Sequence, residues 1–110
     1  METRADVDIT VEELKARLDR GDDLCLLDVR EPYETAICNI PDSTLVPMAE
    51  LPRRLSELDR RRDLVVYCRS GHRSLHAVAF LRRQGYERAV NLKGGILEWI
   101  DKVDPEQMKY

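Results

Sequence analysis

Residues 64–81 pass from an apolar run into a helical repeat across one short loop. Leu64-Val65-Val66-Tyr67 lacks polar alternation, the pattern of a strand buried on both faces of a parallel sheet. Leu75, Val78, Ala79, Phe80 and Leu81 then mark the apolar side of a helix from Ser74 to about Gln84, ending at Gly85. A strand feeding a helix in this way needs a parallel strand to return to, so a βα unit predicts an α/β chain. The connecting loop is Cys68-Arg69-Ser70-Gly71-His72-Arg73. It puts one cysteine at the carboxyl end of a strand, just before a helix N-terminus. Open parallel sheets bind their ligands at that edge. Loop N–H groups and the helix dipole both favour the thiolate, the nucleophilic form of cysteine. Arg69 and Arg73 add positive charge. A reactive thiol at Cys68 is the expectation.

The remaining segments supply the rest of such a sheet. Asp8-Ile9-Thr10 is a short extended entry, and Thr10 with Glu13 fits a capping box. Val11, Leu14 and Leu18 give an apolar face to a helix running to about Arg20, which Gly21 ends. Leu24 to Val29 is an apolar strand carrying Asp28, in which Cys25 reads as a small core residue. Pro32 suits the first turn of a short helix. Asp28, Arg30, Glu31 and Glu34 are either ion pairs at the rim of a site or surface charges. Thr44-Leu45-Val46 is a short strand, and Leu51, Leu55 and Leu58 are spaced for a helix with Pro52 in its first turn. Ala89 to Leu92 is the last strand. Lys93-Gly94-Gly95 turns into a helix of Ile96, Trp99, Ile100 and Val103, with Trp99 as a core anchor.

A chain of 110 residues has room for one core, so residues 1–110 read as a single domain with its core at about 8–103 and a polar tail at 104–110. No apolar run approaches the roughly 18 residues needed to span a membrane. Residues 1–6 are polar and acidic, unlike a secretory signal. The three cysteines form no CxxC pair, which fits free thiols in a reducing cytoplasm. The net charge of −3 is unevenly spread: residues 1–52 carry −8, residues 53–88 carry +6, and residues 89–110 carry −1. The positive stretch holds the cysteine loop, which suits an anionic substrate or an acidic protein partner, or is simply a solvated helix face.

Three motifs in this order resemble the rhodanese (sulfurtransferase) domain family: Leu27-Asp28-Val29-Arg30-Glu31-Pro32, then Tyr67 to Ser74, then Asn91-Leu92-Lys93-Gly94-Gly95-Ile96 through Trp99. The resemblance runs from about Ile9 to Trp99. Ala36 to Pro41 and the ending from Trp99 to Tyr110 look like the rhodanese domain that closes the sulfur-carrier adenylyltransferase/sulfurtransferases. Cys38-Asn39 and Asp42-Ser43 depart from the commoner pattern of Gly-His before Ile-Pro and Gly-Ala after it. The resemblance implies a three-layer α/β domain, with a five-stranded, mainly parallel sheet of order 1-5-4-2-3 and helices on both faces.

The resemblance also implies a chemistry. Cys68 would take sulfane sulfur from a donor, become a persulfide, and pass the sulfur to a thiophilic acceptor. Arg69, Ser70, Gly71, His72 and Arg73 would bind substrate around it. Arg73 is the better candidate for an inward-facing side chain, and Arg69 for a solvent-facing one. Gly71 permits the loop to curl. Ser70 either donates a hydrogen bond or merely suits the turn. His72 tunes Cys68, donates a proton, or sets acceptor preference. The expected partners are a small anionic donor such as thiosulfate and a sulfur-carrier protein or cysteine desulfurase, with no nucleic acid, membrane, metal or cofactor. Nothing requires more than a monomer. Cys38 is expected near the site, within disulfide reach of Cys68.

Two rivals stand beside this reading. Related folds bind phosphate between a cysteine and an arginine, but with one more residue between them than the four separating Cys68 from Arg73. Alternatively, the chain is a non-catalytic rhodanese-like module that binds proteins.

Overall fold

In the computed structural model, which describes residues 7–110, the middle of the sheet is the strand Asp63–Tyr67, here β4. Its residues Leu64 to Tyr67 are all buried, as the unbroken apolar run requires. On one side β4 pairs with β2 (Leu24–Asp28), and β2 with β3 (Thr44–Leu45). On the other it pairs with β5 (Ala89–Leu92), and β5 with β1 (Asp8–Ile9). Every pairing is parallel, and the order is β1-β5-β4-β2-β3, as expected. Residues 1–6, read above as a polar lead-in, lie outside the described residues.

Side-chain alternation along the strands divides the core in two. Leu26, Val65 and Tyr67 pack with α1 (Val11–Arg20) and α4 (Gly95–Lys102), through Leu14, Ile96, Trp99 and Ile100. Leu27, Leu64 and Val66 pack with α3 (His72–Arg83) and a 3-10 segment at Met48–Glu57, through Ala77, Val78, Leu81 and Leu51. Helices thus cover both faces, giving three layers. Trp99 is the buried anchor that its spacing suggests, and Cys25 packs at the edge of the other cluster.

Local signals hold closely where they are self-contained. Thr10 and Glu13 exchange both bonds of the capping box, at 3.1 and 2.9 Å. Gly21 closes α1 in the left-handed region, with φ +76°. Pro32 opens the short helix α2 (Pro32–Ile37).

Two expectations are corrected. The Leu51–Leu58 helix is a 3-10 segment, broken at Arg54 (φ −115°, ψ 15°), because Pro52 falls in its middle and supplies no N–H for an α-helical bond. Helix α3 starts at His72, two residues earlier than the spacing suggests, because left-handed Gly71 (φ +105°) tightens the loop. The polar segment 104–110 packs back against the domain. Gln107 bonds the main-chain N–H and carbonyl of Asn39 at 2.9 and 2.7 Å, and Tyr110 reaches buried groups described below. Replacing Thr10 by Ala removes half of the α1 cap; urea unfolding should show a loss of about 1 kcal/mol.

Candidate active site

Cys68 follows β4 and is 1% exposed. Only Arg69, Ser70 and Gly71 separate it from α3, so the chain must curl back over the cysteine side chain. The curl turns main-chain donors inward: the N–H groups of Gly71 and Ser74 lie 3.1 and 3.4 Å from Sγ, and the Ser74 hydroxyl oxygen lies 3.3 Å away. Burial pushes the thiol pKa up. The main-chain N–H groups of Ser74, Gly71 and Ser70 pull it the other way, and the net direction is down from the ordinary 9.0. Sulfur at this position is therefore surrounded by groups that favour an anion.

The loop's outer face is held by α4. That helix opens with unpaired N–H groups, as every helix does. Here Ile96 N–H donates to the Cys68 carbonyl at 2.9 Å, and Leu97 N–H to the Arg69 carbonyl at 3.2 Å. Such approach is possible only because Gly95 has no side chain. A Cβ there would lie 2.5 Å from the Arg69 carbonyl oxygen and 2.6 Å from that of Cys68, and φ is +62°. The loop is thus clasped between the N-termini of two helices.

The charged residues predicted at the rim separate into distinct roles. Asp28 and Arg30 are both completely buried and paired twice, Nε to Oδ1 at 2.9 Å and Nη2 to Oδ2 at 2.8 Å. Arg30 also donates to the Cys38 carbonyl at 2.7 Å and to the Tyr110 hydroxyl at 3.0 Å. Glu34 on α2 is buried and accepts both guanidinium nitrogens of Arg73, at 2.8 and 2.7 Å, as well as the Tyr110 hydroxyl at 2.6 Å. The Arg73 bonds drive the Glu34 carboxyl down to about 2, against a smaller upward push from burial. Tyr110, half-buried and donating to Glu34, is pushed up to about 12. Glu31 takes no part in these pairs; its main-chain N–H donates to Glu34 Oε1 at 2.9 Å.

The loop residues singled out by the sequence do come together. Arg73 is turned toward Glu34, which answers its charge. Arg69 is exposed, as expected; it lies over the Tyr110 ring, 5.2 Å from the centroid, and donates to the Tyr110 carbonyl. Ser70 Oγ is 3.4 Å from His72 Nδ1. His72 lies between two clefts. One of about 300 Å³ is lined by Asp8, Ser70, Gly71, His72, Asn91, Lys93 and Gly94, and one of about 210 Å³ by Met48, His72, Arg73 and His76. Among the described residues no group of three His, Cys, Asp or Glu side chains could hold a metal ion.

Cys38 is not a partner for Cys68. It is buried on the other side of the sheet, with Tyr67 and Leu26, and its Sγ is 3.9 Å from Arg30 Nη1. Cys68 belongs to the cluster on the α3 side, and all three cysteines are free. Sequence reasoning missed Ser74, Asn91 and Tyr110 as site groups. The available signal for Asn91 was a carboxamide inside the apolar strand Ala89–Leu92. Tyr110 carried none beyond an aromatic ring closing a polar segment.

A parallel sheet with a cysteine cradled at a strand-to-helix turn defines a class of α/β domains built for sulfur or phosphate chemistry at a thiol. The family model of the Rhodanese-like domain matches residues 10–102, so the chain belongs to the rhodanese-like domain family. A sulfurtransferase of Allochromatium vinosum is 48% identical over 92 residues, covering 84% of this chain and 86% of that protein. A probable adenylyltransferase/sulfurtransferase, MoeZ, of Mycobacterium tuberculosis is 38% identical over 104 residues; the match takes in 93% of this chain but 26% of that protein. The crystal structure of a rhodanese-like domain protein from Staphylococcus aureus superposes with a TM-score of 0.81 at 32% identity, covering 94% of this chain and 97% of the other.

Two predictions follow from the geometry. Gly95→Ala should destabilise the fold by on the order of 2–3 kcal/mol in urea, since both the backbone angle and the loop carbonyls oppose a Cβ. Glu34 has a folded-state pKa of about 2 against 4.5 when free, so its stabilisation is complete above 4.5 and disappears as pH falls toward 2. Wild-type stability should therefore fall across that window, by up to about 3 kcal/mol from this group. Acid titrations of Glu34→Gln should show a shallower fall.

Proposed function

We propose that this domain is a sulfurtransferase that carries sulfane sulfur as a persulfide on Cys68. Family membership and the sulfurtransferase relatives support the general activity. The observation that carries the finer reading is the convergence of Gly71 and Ser74 N–H groups on Sγ itself, at 3.1 and 3.4 Å. Donors aimed at the sulfur stabilise the attacking thiolate and again the thiolate that leaves. They are ordered before reaction, because two helix termini hold the loop.

With thiosulfate as donor, the Cys68 thiolate attacks the outer sulfur. A new S–S bond forms at Cys68, the S–S bond of thiosulfate breaks, and sulfite leaves with the electron pair. An acceptor thiolate, or cyanide, then attacks the terminal sulfur of the persulfide, and the Cys68 thiolate is released. Charge is conserved in both steps. Arg69, exposed at the lip, attracts the anionic donor on encounter. Ser70, Gly71 and His72 border the approach, and His72, set between the two clefts, separates donor from acceptor sides. Arg73 works through its pair with Glu34, orienting the first turn of α3. The physiological donor is a small sulfane-sulfur anion or a protein persulfide. The acceptor is a small thiol or a sulfur-carrier protein, as the sulfur-carrier relative from Bacillus subtilis suggests by its name.

The test is the intact mass of the protein after thiosulfate, with and without later cyanide. Wild type should gain one sulfur atom that cyanide removes, and Cys68→Ser should gain none. No gain from thiosulfate or from a persulfide-loaded cysteine desulfurase would overturn the reading and favour a protein-binding module. Rapid, Cys68-dependent hydrolysis of an aryl phosphate would instead favour a phosphatase.

A further inference from the structure

Behind Cys68 runs a directed chain of side-chain hydrogen bonds to the opposite edge of the sheet. Ser74 is fully buried, and its hydroxyl lies 3.3 Å from Cys68 Sγ and 2.5 Å from Asn91 Oδ1. Asn91 is 4% exposed, and its Nδ2 donates to Asp8 Oδ1 on β1 at 3.1 Å. Direction matters because the members are not equivalent. A carboxylate can only accept, so Asp8 fixes which end of the Asn91 amide faces it. The amide oxygen must then face Ser74. A serine hydroxyl has one hydrogen, and the carboxamide oxygen takes it. What remains for Cys68 is a lone pair.

We propose that Asp8 and Asn91 are positioning residues for the Cys68 thiol: they commit the Ser74 hydroxyl hydrogen away from Sγ, so that Ser74 accepts from the thiol and does not donate to the thiolate. Main-chain N–H groups alone then stabilise the ionised sulfur. The chain acts against the loop and keeps the thiol from becoming too acidic. That has a chemical use, which rests on the sulfur-transfer reading: the nucleophilicity of a thiolate falls as its pKa falls, and attack is best with a pKa near ambient pH. If the acceptor-only carboxylate were replaced by an amide, the chain could reverse. Asn91 would turn, its nitrogen would face Ser74, and the hydroxyl would be free to swing to Sγ with every group still paired.

The experiment is the pH profile of Cys68 alkylation by iodoacetamide, read by mass spectrometry of the Cys68 peptide. Wild type is compared with Asp8→Asn, each with and without Ser74→Ala. The other charged groups around the thiol are the same in all four proteins. They are His72 and Arg73 on α3, Lys93 in the turn after β5, and Glu34 on α2 behind Arg73. Asp8→Asn should raise the thiolate fraction about two- to tenfold near neutral pH, the worth of one hydrogen bond. In the Ser74→Ala background the same change should do nothing, since the hydroxyl that transmits it is gone. An equal effect in both backgrounds would mean a through-space charge effect and overturn the proposal. So would no effect in either, or a profile moved to higher pH by Ser74→Ala alone. Should Ser74→Ala fail to fold, the Asp8→Asn shift is measured at low and high salt. A shift carried by hydrogen bonds persists in salt, whereas one that vanishes is screened charge and sinks the idea. Alkylation needs no sulfur donor, so these outcomes stand whether or not Cys68 takes up sulfur.

Discussion

The buried pair of Asp28 and Arg30 is the constraint on which the site depends. Both are completely inaccessible, and taking two charges out of water costs several kcal/mol per ion unless every donor and acceptor is met. They are met here. Asp28 accepts from the Arg30 side chain and main chain and from the Thr35 hydroxyl at 2.7 Å. Arg30 spends its remaining donors on the Cys38 carbonyl and the Tyr110 hydroxyl, and its guanidinium lies over the rings of Tyr67 and Tyr110. One cation thus joins the end of β2, helix α2, the turn after it and the segment around Tyr110. Removing a single partner would strand a buried charge, at a cost of about 3–5 kcal/mol.

From that pair, rigidity passes to the cysteine loop by contact. Tyr110 shares its hydroxyl between Arg30 and Glu34, and Glu34 grips Arg73 in the first turn of α3. The Tyr67 hydroxyl, beside Ser43 Oγ at 2.8 Å and bonded by Ile40 N–H at 3.3 Å, ties the residue before Cys68 to the turn after α2. The N-terminus of α4 meets the loop carbonyls from the other side. A loop held this firmly can keep its N–H groups aimed at sulfur without reorganising during reaction, which is where preorganised donors gain their advantage over water.

Much of this was legible before any coordinates. Thr10, Glu13 and Gly21 specify a helix through bonds spanning a few residues, so their pattern alone suffices. The apolar run of β4, the cysteine after it and the glycines at 71, 94 and 95 likewise carry their meaning locally. Where the local pattern was silent, the deciding partner was far away in sequence. Arg73 was read as an inward-facing side chain, and the group that orients it is Glu34, 39 positions earlier. The polar segment 104–110 was read by composition alone, and Arg30, 80 positions before Tyr110, draws it in. Cys38 was placed near Cys68, yet at the end of α2 it packs with Tyr67 and Leu26 in the core on the opposite face of the sheet.

The amino-acid sequence by itself determined the α/β class, the strand and helix order, and the place of a single cysteine at a strand-to-helix turn, because hydrophobic period, caps and glycine backbone preferences act over short spans. Only the tertiary structure decided which charges are buried together, which way each arginine points and what stands behind the sulfur. Those depend on strand order and register, which bring Asp8, Asn91 and Ser74 into line although 83 positions separate the first two. Hydrogen-bond direction along that line is a property of the assembled set, since each group's role is fixed by what its neighbour can donate or accept.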